Sequence, residues 1–200
     1  MRSRMLLDVI SLLARIAVWC SGGAMLLVAV MISMEILSRR MFGMHLVAAD
    51  EISGYALAIT TSWAISFTLL QRGHIRVDAF YMILPKGVQA VLDLLALLAM
   101  TVFAATLSWY ALDMWANSWE LQSTSNTPLA TPLWIPQGLW VIGLLFFLIT
   151  NLALLLRATV LLVFGHVSEA LRITGTRSLE DALQEQLESQ RGTGRQDSGR

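Results

Sequence analysis

The sequence predicts an all-α integral membrane protein that crosses the bilayer four times, with both termini in the cytoplasm and amphipathic segments at the interface. Three observations predict it. The first is composition: of 200 residues, 56% are hydrophobic and 14% charged, against roughly 25% charged in an average soluble domain. The second is where the charges are absent. Ile16–Met34, Ile52–Leu70, Leu94–Leu112 and Gly138–Leu156 contain no Asp, Glu, Lys, Arg or His. At about 1.5 Å per residue each comes close to the ~30 Å hydrocarbon thickness of a bilayer. None shows the broad polar stripe of a soluble core helix. In lipid the backbone must satisfy its own hydrogen bonds, which makes these stretches helices.

The third observation is the distribution of Lys and Arg, which sets orientation. Arg2, Arg4 and Arg15 precede the first span; Arg72, Arg76 and Lys86 lie between spans two and three; Arg157, Arg172 and Arg177 follow span four. The loop after span one holds only Arg39 and Arg40, and residues 113–137 hold none. Both termini inside is the arrangement that follows the positive-inside bias. The zero formal net charge leaves no basic field to attract nucleic acid.

Residues 1–15 are amphipathic, with Leu6, Leu7, Ile10 and Leu13 apolar and Asp8 and Arg15 on another face. They read as an interfacial lead-in to helix one or as its lower end. The first stretch begins only at Ile16 and no Ala-x-Ala-like site follows it, so it reads as a retained span rather than a cleaved leader. Bulky Trp19 before Cys20 argues against lipoprotein processing, and a single cysteine allows no CxxC redox pair. Ser21, Gly22, Gly23 and Ala24 offer a place for close approach of a neighbouring backbone. Met41 to Ala49 make a turn, and Asp50 and Glu51 introduce helix two.

On helix two, Gly54, Ala58, Ser62 and Ser66 recur at every fourth residue, a small-residue stripe suited to tight helix contact. Packing within this chain and packing against a separate subunit are both compatible with that spacing. The segment Gln71 to Asp78 places its charges in a cytoplasmic elbow, where Ile75, Val77, Phe80 and Tyr81 suit an interfacial position. Pro85 ends that element and Asp93 marks the start of helix three. Five of seven tryptophans (Trp109, Trp115, Trp119, Trp134 and Trp140) gather around the third loop, as an aromatic belt at the outer interface would. Pro128, Pro132 and Pro136 interrupt any continuous helix there. Ala158–Gly165 extends helix four or lies along the surface. Residues 1–165 form the membrane domain and 166–200 a polar cytoplasmic tail, with a short helix over Ser178–Ser189.

A protein that moves ions by itself normally places ionisable groups near the bilayer centre, at a cost of roughly 2.5–3.5 kcal/mol or more each. The four stretches contain none. Asn151 is the most polar residue within them, and an interhelical hydrogen bond is its expected use. His45, His74 and His166 fall at different depths and do not suit bis-histidine haem ligation. No ligand cluster suits zinc. No serine has a base at matching depth. The residues alone therefore predict no cofactor and no catalytic group, and a four-helix scaffold or accessory subunit.

The polar segments carry a resemblance. Glu35-Ile36-Leu37-Ser38-Arg39, then Phe42-Gly43, then Asp50-Glu51, resemble the junction of helices one and two in the small membrane subunit of tripartite ATP-independent periplasmic (TRAP) transporters, the DctQ family. Gly73-His74-Ile75-Arg76-Val77-Asp78 is similar to that family's elbow after helix two, and Pro132-Leu133-Trp134-Ile135-Pro136 to the start of its helix four. The likeness covers roughly residues 16–157. The chain departs from the family pattern at Leu46-Val47-Ala48-Ala49 and around Trp140–Gly143.

The resemblance implies a large TRAP membrane subunit and a periplasmic solute-binding protein as partners, in a bacterial inner membrane. The large subunit would hold the ion and substrate sites, and the binding protein would deliver an organic anion, often a carboxylate. It makes Glu35, Arg39, Glu51, Gly54, Ala58, Ser62, Ser66, His74, Arg76, Asp78 and Trp134 candidates for contact with partner or membrane lipids. Arg39 and Glu51 either form a surface ion pair or fix the helix one–two junction. A membrane assembly factor unrelated to transport, or the membrane anchor of a redox enzyme, are the alternative classes.

Overall fold

The computed structural model describes residues 2–42, 49–71, 84–167 and 171, with side chains from residue 9 onward. Four helices form in this order: α1 (Arg2–Phe42), α2 (Ala49–Leu70), α3 (Lys86–Glu120) and α4 (Trp134–Val163). Each is long and apolar enough to cross a membrane. At 22 residues α2 is ~33 Å long, whereas α1, α3 and α4, with 41, 35 and 30 residues, reach ~61, ~52 and ~45 Å. The three long helices therefore overrun a ~30 Å hydrocarbon layer.

The ends of the helices follow local chemistry. Arg39 and Arg40 occupy the last turn of α1, and Asp50 and Glu51 the first turn of α2. Both placements complement the helix dipole. Pro85 (φ −58°, ψ 144°) caps α3, and its carbonyl accepts from Val88 N (2.9 Å) and Gln89 N (3.1 Å). At the far end of α4, Gly165 adopts φ +75°. His166 N donates to Leu161 O (2.9 Å) and Gly165 N to Leu162 O (3.0 Å), the paired bonds of a Schellman cap.

Two expected boundaries move. Helix α3 begins at Lys86, not near Asp93, and Asp93 lies buried within it. A carboxylate is excluded from lipid, but not from a face turned into protein. Helix α3 also continues beyond Leu112 to Glu120, so the loop before α4 is residues 121–133 rather than 113–137. Residues 113–120 are polar yet contain neither Pro nor Gly. Polarity takes a helix out of hydrocarbon without ending it. Of the two readings of residues 1–15, the lower end of helix one is the observed one, because α1 runs unbroken from Arg2. The apolar stretch after Leu156 likewise continues α4, to Val163. The elbow at 72–83 and the Ser178–Ser189 helix lie outside the described residues.

Helix α1 packs on α2, α2 on α4, and α4 on α3, while α1 meets α4 only marginally. The spatial order is thus α1–α2–α4–α3, an open layer rather than a closed bundle. Only 6% of the apolar window of α1 is buried, against 39% for α4, which makes α1 an edge and α4 the centre. The buried side of α1 is a narrow stripe of Ile10, Ala14, Ala17 and Ser21 at helical spacing. Gly22 and Gly23 have open space beside them, while Ser21 of that small cluster is buried and Ala24 half-buried. The main core joins α2, α3 and α4 through Leu69, Leu97, Ala104, Phe147 and Leu154. Between α1 and α4, with α2 as its floor, runs an open apolar groove of about 580 Å³ lined in part by Ala17, Ala24, Thr60, Trp63 and Phe146.

Candidate functional site

Where α2 and α4 begin and α3 finishes, polar side chains join one element to another. Glu51, in the first turn of α2, is bonded on both oxygens. Tyr55 OH, one turn on, donates to Oε1 (2.8 Å), and the Thr127 hydroxyl donates to Oε2 from the α3–α4 loop. Ser125 Oγ lies 2.9 Å from Thr127 Oγ1 and accepts from Thr131 N (3.1 Å). Glu51 sits just before the uncharged stretch Ile52–Leu70. Its carboxyl is held well below the usual carboxylate range, chiefly by the Thr127 hydroxyl; burial works the other way, and Thr131, Ser125 and Tyr55 add to the lowering. A carboxylate ionised at neutral pH thus clasps the loop to α2.

Two indoles brace α4 nearby. Trp115 Nε1, from α3, donates to Trp134 O (3.0 Å), and Trp63 Nε1, from α2, donates to Leu139 O (3.0 Å). In each case a glycine follows four residues after the accepting carbonyl. A Cβ on Gly138 would lie 2.9 Å from Trp115 Nε1, and one on Gly143 would lie 2.8 Å from Trp63 Cδ1 and 2.3 Å from Ser62 Oγ. The missing side chains are what let the rings reach the backbone. Trp119 stacks edge-on against Trp134, with centroids 4.7 Å apart, and contacts Trp115 at 6.2 Å. Trp109 and Trp119 are exposed, as belt residues would be, whereas Trp115 spends its N–H inside the protein.

The predicted residues divide. Arg39 does not pair with Glu51: its Nη2 donates to Glu35 Oε1 at 2.5 Å, one turn back on the same helix. Side chains at i and i+4 share a helix face, which gives the local pair the advantage over one across the turn. Glu35 is almost fully buried while about half of the Arg39 side chain is exposed. The small-residue stripe of α2 splits at its middle. Ser62 and Ser66 are buried, with Ser62 against Gly143 of α4, while Gly54 and Ala58 are exposed and a Cβ on Gly54 would touch nothing. Ala58 borders a smaller cavity of about 260 Å³ with Tyr55, Met114 and Pro136. Trp134, half-buried, opens α4 and joins the aromatic stack. His74, Arg76 and Asp78 lie outside the described residues.

Asn151 departs from expectation. It is fully buried, yet neither amide atom has a hydrogen-bond partner among the described residues; the same holds for Ser66 Oγ. Sequence reasoning also missed Tyr55, Thr127, Trp63, Gly138 and Gly143. Glycines five apart at the head of an apolar helix are the signal that marks the last two. Among the described residues, no three His, Cys, Asp or Glu side chains gather as a metal site requires.

Four apolar helices, a layer with uncovered edges and polar contacts spent on joining its own elements define a multi-pass membrane component. Residues 28–161 match the family described as Tripartite ATP-independent periplasmic transporters, DctQ component. That match spans most of the chain and all four helices in part or whole, and the protein belongs to this family: it is the DctQ component of a TRAP transporter, a non-catalytic membrane subunit and not an enzyme. No curated protein and no solved structure matches the chain.

Proposed function

We propose that this subunit widens the static scaffold of a large TRAP permease subunit, which performs ion-gradient-driven uptake of an organic anion brought by a periplasmic binding protein. The observation that carries this reading is the open helix layer. In a closed four-helix bundle every helix is flanked by two neighbours, whereas here α1 packs on α2 alone, meets α4 only marginally, and presents Leu12, Ile16, Trp19, Leu26, Leu27 and Met34 outward. Such surface is equally comfortable against lipid or an apolar partner helix. The exposed upper half of the α2 stripe, Gly54 and Ala58, is where a partner backbone could come closest.

In this reading the chain sits in a bacterial inner membrane with both termini cytoplasmic and the tryptophan-rich end in the periplasm, as the Lys and Arg distribution favours. The uncharged stretches supply nothing to escort a cation, which suits a subunit whose partner holds the ion sites. His74 and Arg76, in the cytoplasmic elbow, dock the partner or lipid headgroups.

Affinity purification from native membranes tests the proposal. A large polytopic permease should co-purify, and His74→Ala with Arg76→Ala should lower its recovery. Recovery of a cofactor-bearing soluble subunit instead, or ion-driven uptake by this chain reconstituted alone, would overturn the accessory role.

A further inference from the structure

The α3–α4 loop holds two non-glycine residues in the left-handed backbone region, Gln122 (φ 48°) and Ala130 (φ 45°). Side chains with a Cβ crowd the following carbonyl there, so the conformation persists only where surrounding contacts over-determine it. The base of the loop supplies some of them. Ser123 N donates to Ser118 O (3.1 Å), Leu133 N to Ser123 O (2.9 Å), Ser125 N to Thr131 O (3.0 Å), and Gln122 Nε2 to Trp119 O (2.7 Å). Its tip carries less: Ala130 N donates to Thr127 O (3.0 Å), and the Thr127 hydroxyl reaches α2 through Glu51.

We infer that residues 121–133 form a strained loop held closed by the Glu51 carboxylate, a catch whose release frees the loop without unfolding the helices. The chemistry fits. An ionised carboxylate accepts a hydroxyl bond about twice as strong as a neutral acceptor would. Its second oxygen is anchored by Tyr55, which fixes the carboxylate on α2 and leaves Oε2 for the loop. The Ser125 and Thr131 contacts then relay that anchorage across the tip. Ala130 lies inside this network, between Thr127 and Thr131, so opening the catch relieves it directly; Gln122 lies outside the network, at the base of the loop. The loop is thereby shaped before any partner arrives, and the α1–α2 hairpin and the α3–α4 hairpin are tied at one end of the layer. The inference stands on this chain's own contacts and is independent of the transport reading.

Hydrogen exchange measured by mass spectrometry on the full chain in lipid nanodiscs tests it. Glu51→Ala should accelerate exchange of the loop amides Ser125, Ala130 and Leu133 by about tenfold or more, the loss expected for a charge-assisted bond. Thr127→Val should do the same from the other side of the contact, and serves alone if Glu51→Ala fails to fold. Amides of the α4 core around Phe147 should change less than about twofold. Ala130→Gly in the otherwise unaltered chain should slow loop exchange by removing one strained residue. Unchanged loop exchange in both contact variants would overturn the catch, because the loop would be closing itself. Acceleration spread evenly over loop and helices would overturn it too, because Glu51 would then hold the whole fold.

Discussion

Gly143→Ala is the substitution that most directly probes how α2 and α4 fit together. A Cβ at this position would fall 2.3 Å from Ser62 Oγ, 2.9 Å from Ser62 Cβ and 2.8 Å from Trp63 Cδ1. The Ser62 hydroxyl can turn away from its bond to Ile59 O, but its Cβ and the indole cannot yield unless the helices separate. Overpacking of this kind costs about 1–3 kcal/mol. Separation would also lengthen the Trp63–Leu139 bond, a further loss of about 0.5–1.5 kcal/mol. Against these, replacing a mid-helix glycine by alanine gains up to about 1 kcal/mol of helix propensity. The net expectation is a loss of about 2 kcal/mol. Thermal unfolding in detergent, followed by tryptophan fluorescence, should show a melting temperature lower by about 4–8 °C. Ser62→Gly added to Gly143→Ala removes two of the three clashes and should recover about half of the loss. A Gly143→Ala protein as stable as the parent would refute the close contact itself.

Two other expectations follow from the same geometry. Asn151→Leu exchanges a buried amide without partners for an apolar side chain of similar volume, and should raise stability by about 1–3 kcal/mol in the same melt; a lower melting temperature would mean that the amide is engaged after all. Gly165→Ala places a Cβ in the left-handed conformation that ends α4, and should cost about 1 kcal/mol and fray the last turn, read as faster exchange at Gly165 and His166 amides.

The four spans were legible because lipid imposes one dominant rule, and Ile52–Leu70 or Gly138–Leu156 obey it over their full length. What the rule leaves out is where a helix stops. Asp93 and Asp113 end uncharged runs but not helices, since a charge can turn toward protein or simply rise above the membrane. Arg39 and Glu51 were recognisable as charges that need partners, but not as belonging to separate contacts, because Arg39 finds Glu35 locally while Glu51 finds the Thr127 hydroxyl at 76 residues' separation. The small-residue stripe of α2 showed a packing surface without saying that only Ser62 and Ser66 lie on it. Trp115 read as one more tryptophan of the belt and Trp63 as part of an uncharged span, since nothing in their own neighbourhood signals a glycine on another helix.

The two indole braces grip α4 five residues apart. Five residues at ~100° each carry the second grip ~140° around the helix axis from the first, and one ring comes from α2 while the other comes from α3. A piston movement of α4 would drive a bulky side chain under one ring or the other, and a twist in either direction would pull both carbonyls off their donors. The central rod of this layer is thereby pinned in height and in azimuth at once, so any shape change this subunit undergoes has to happen at its rims.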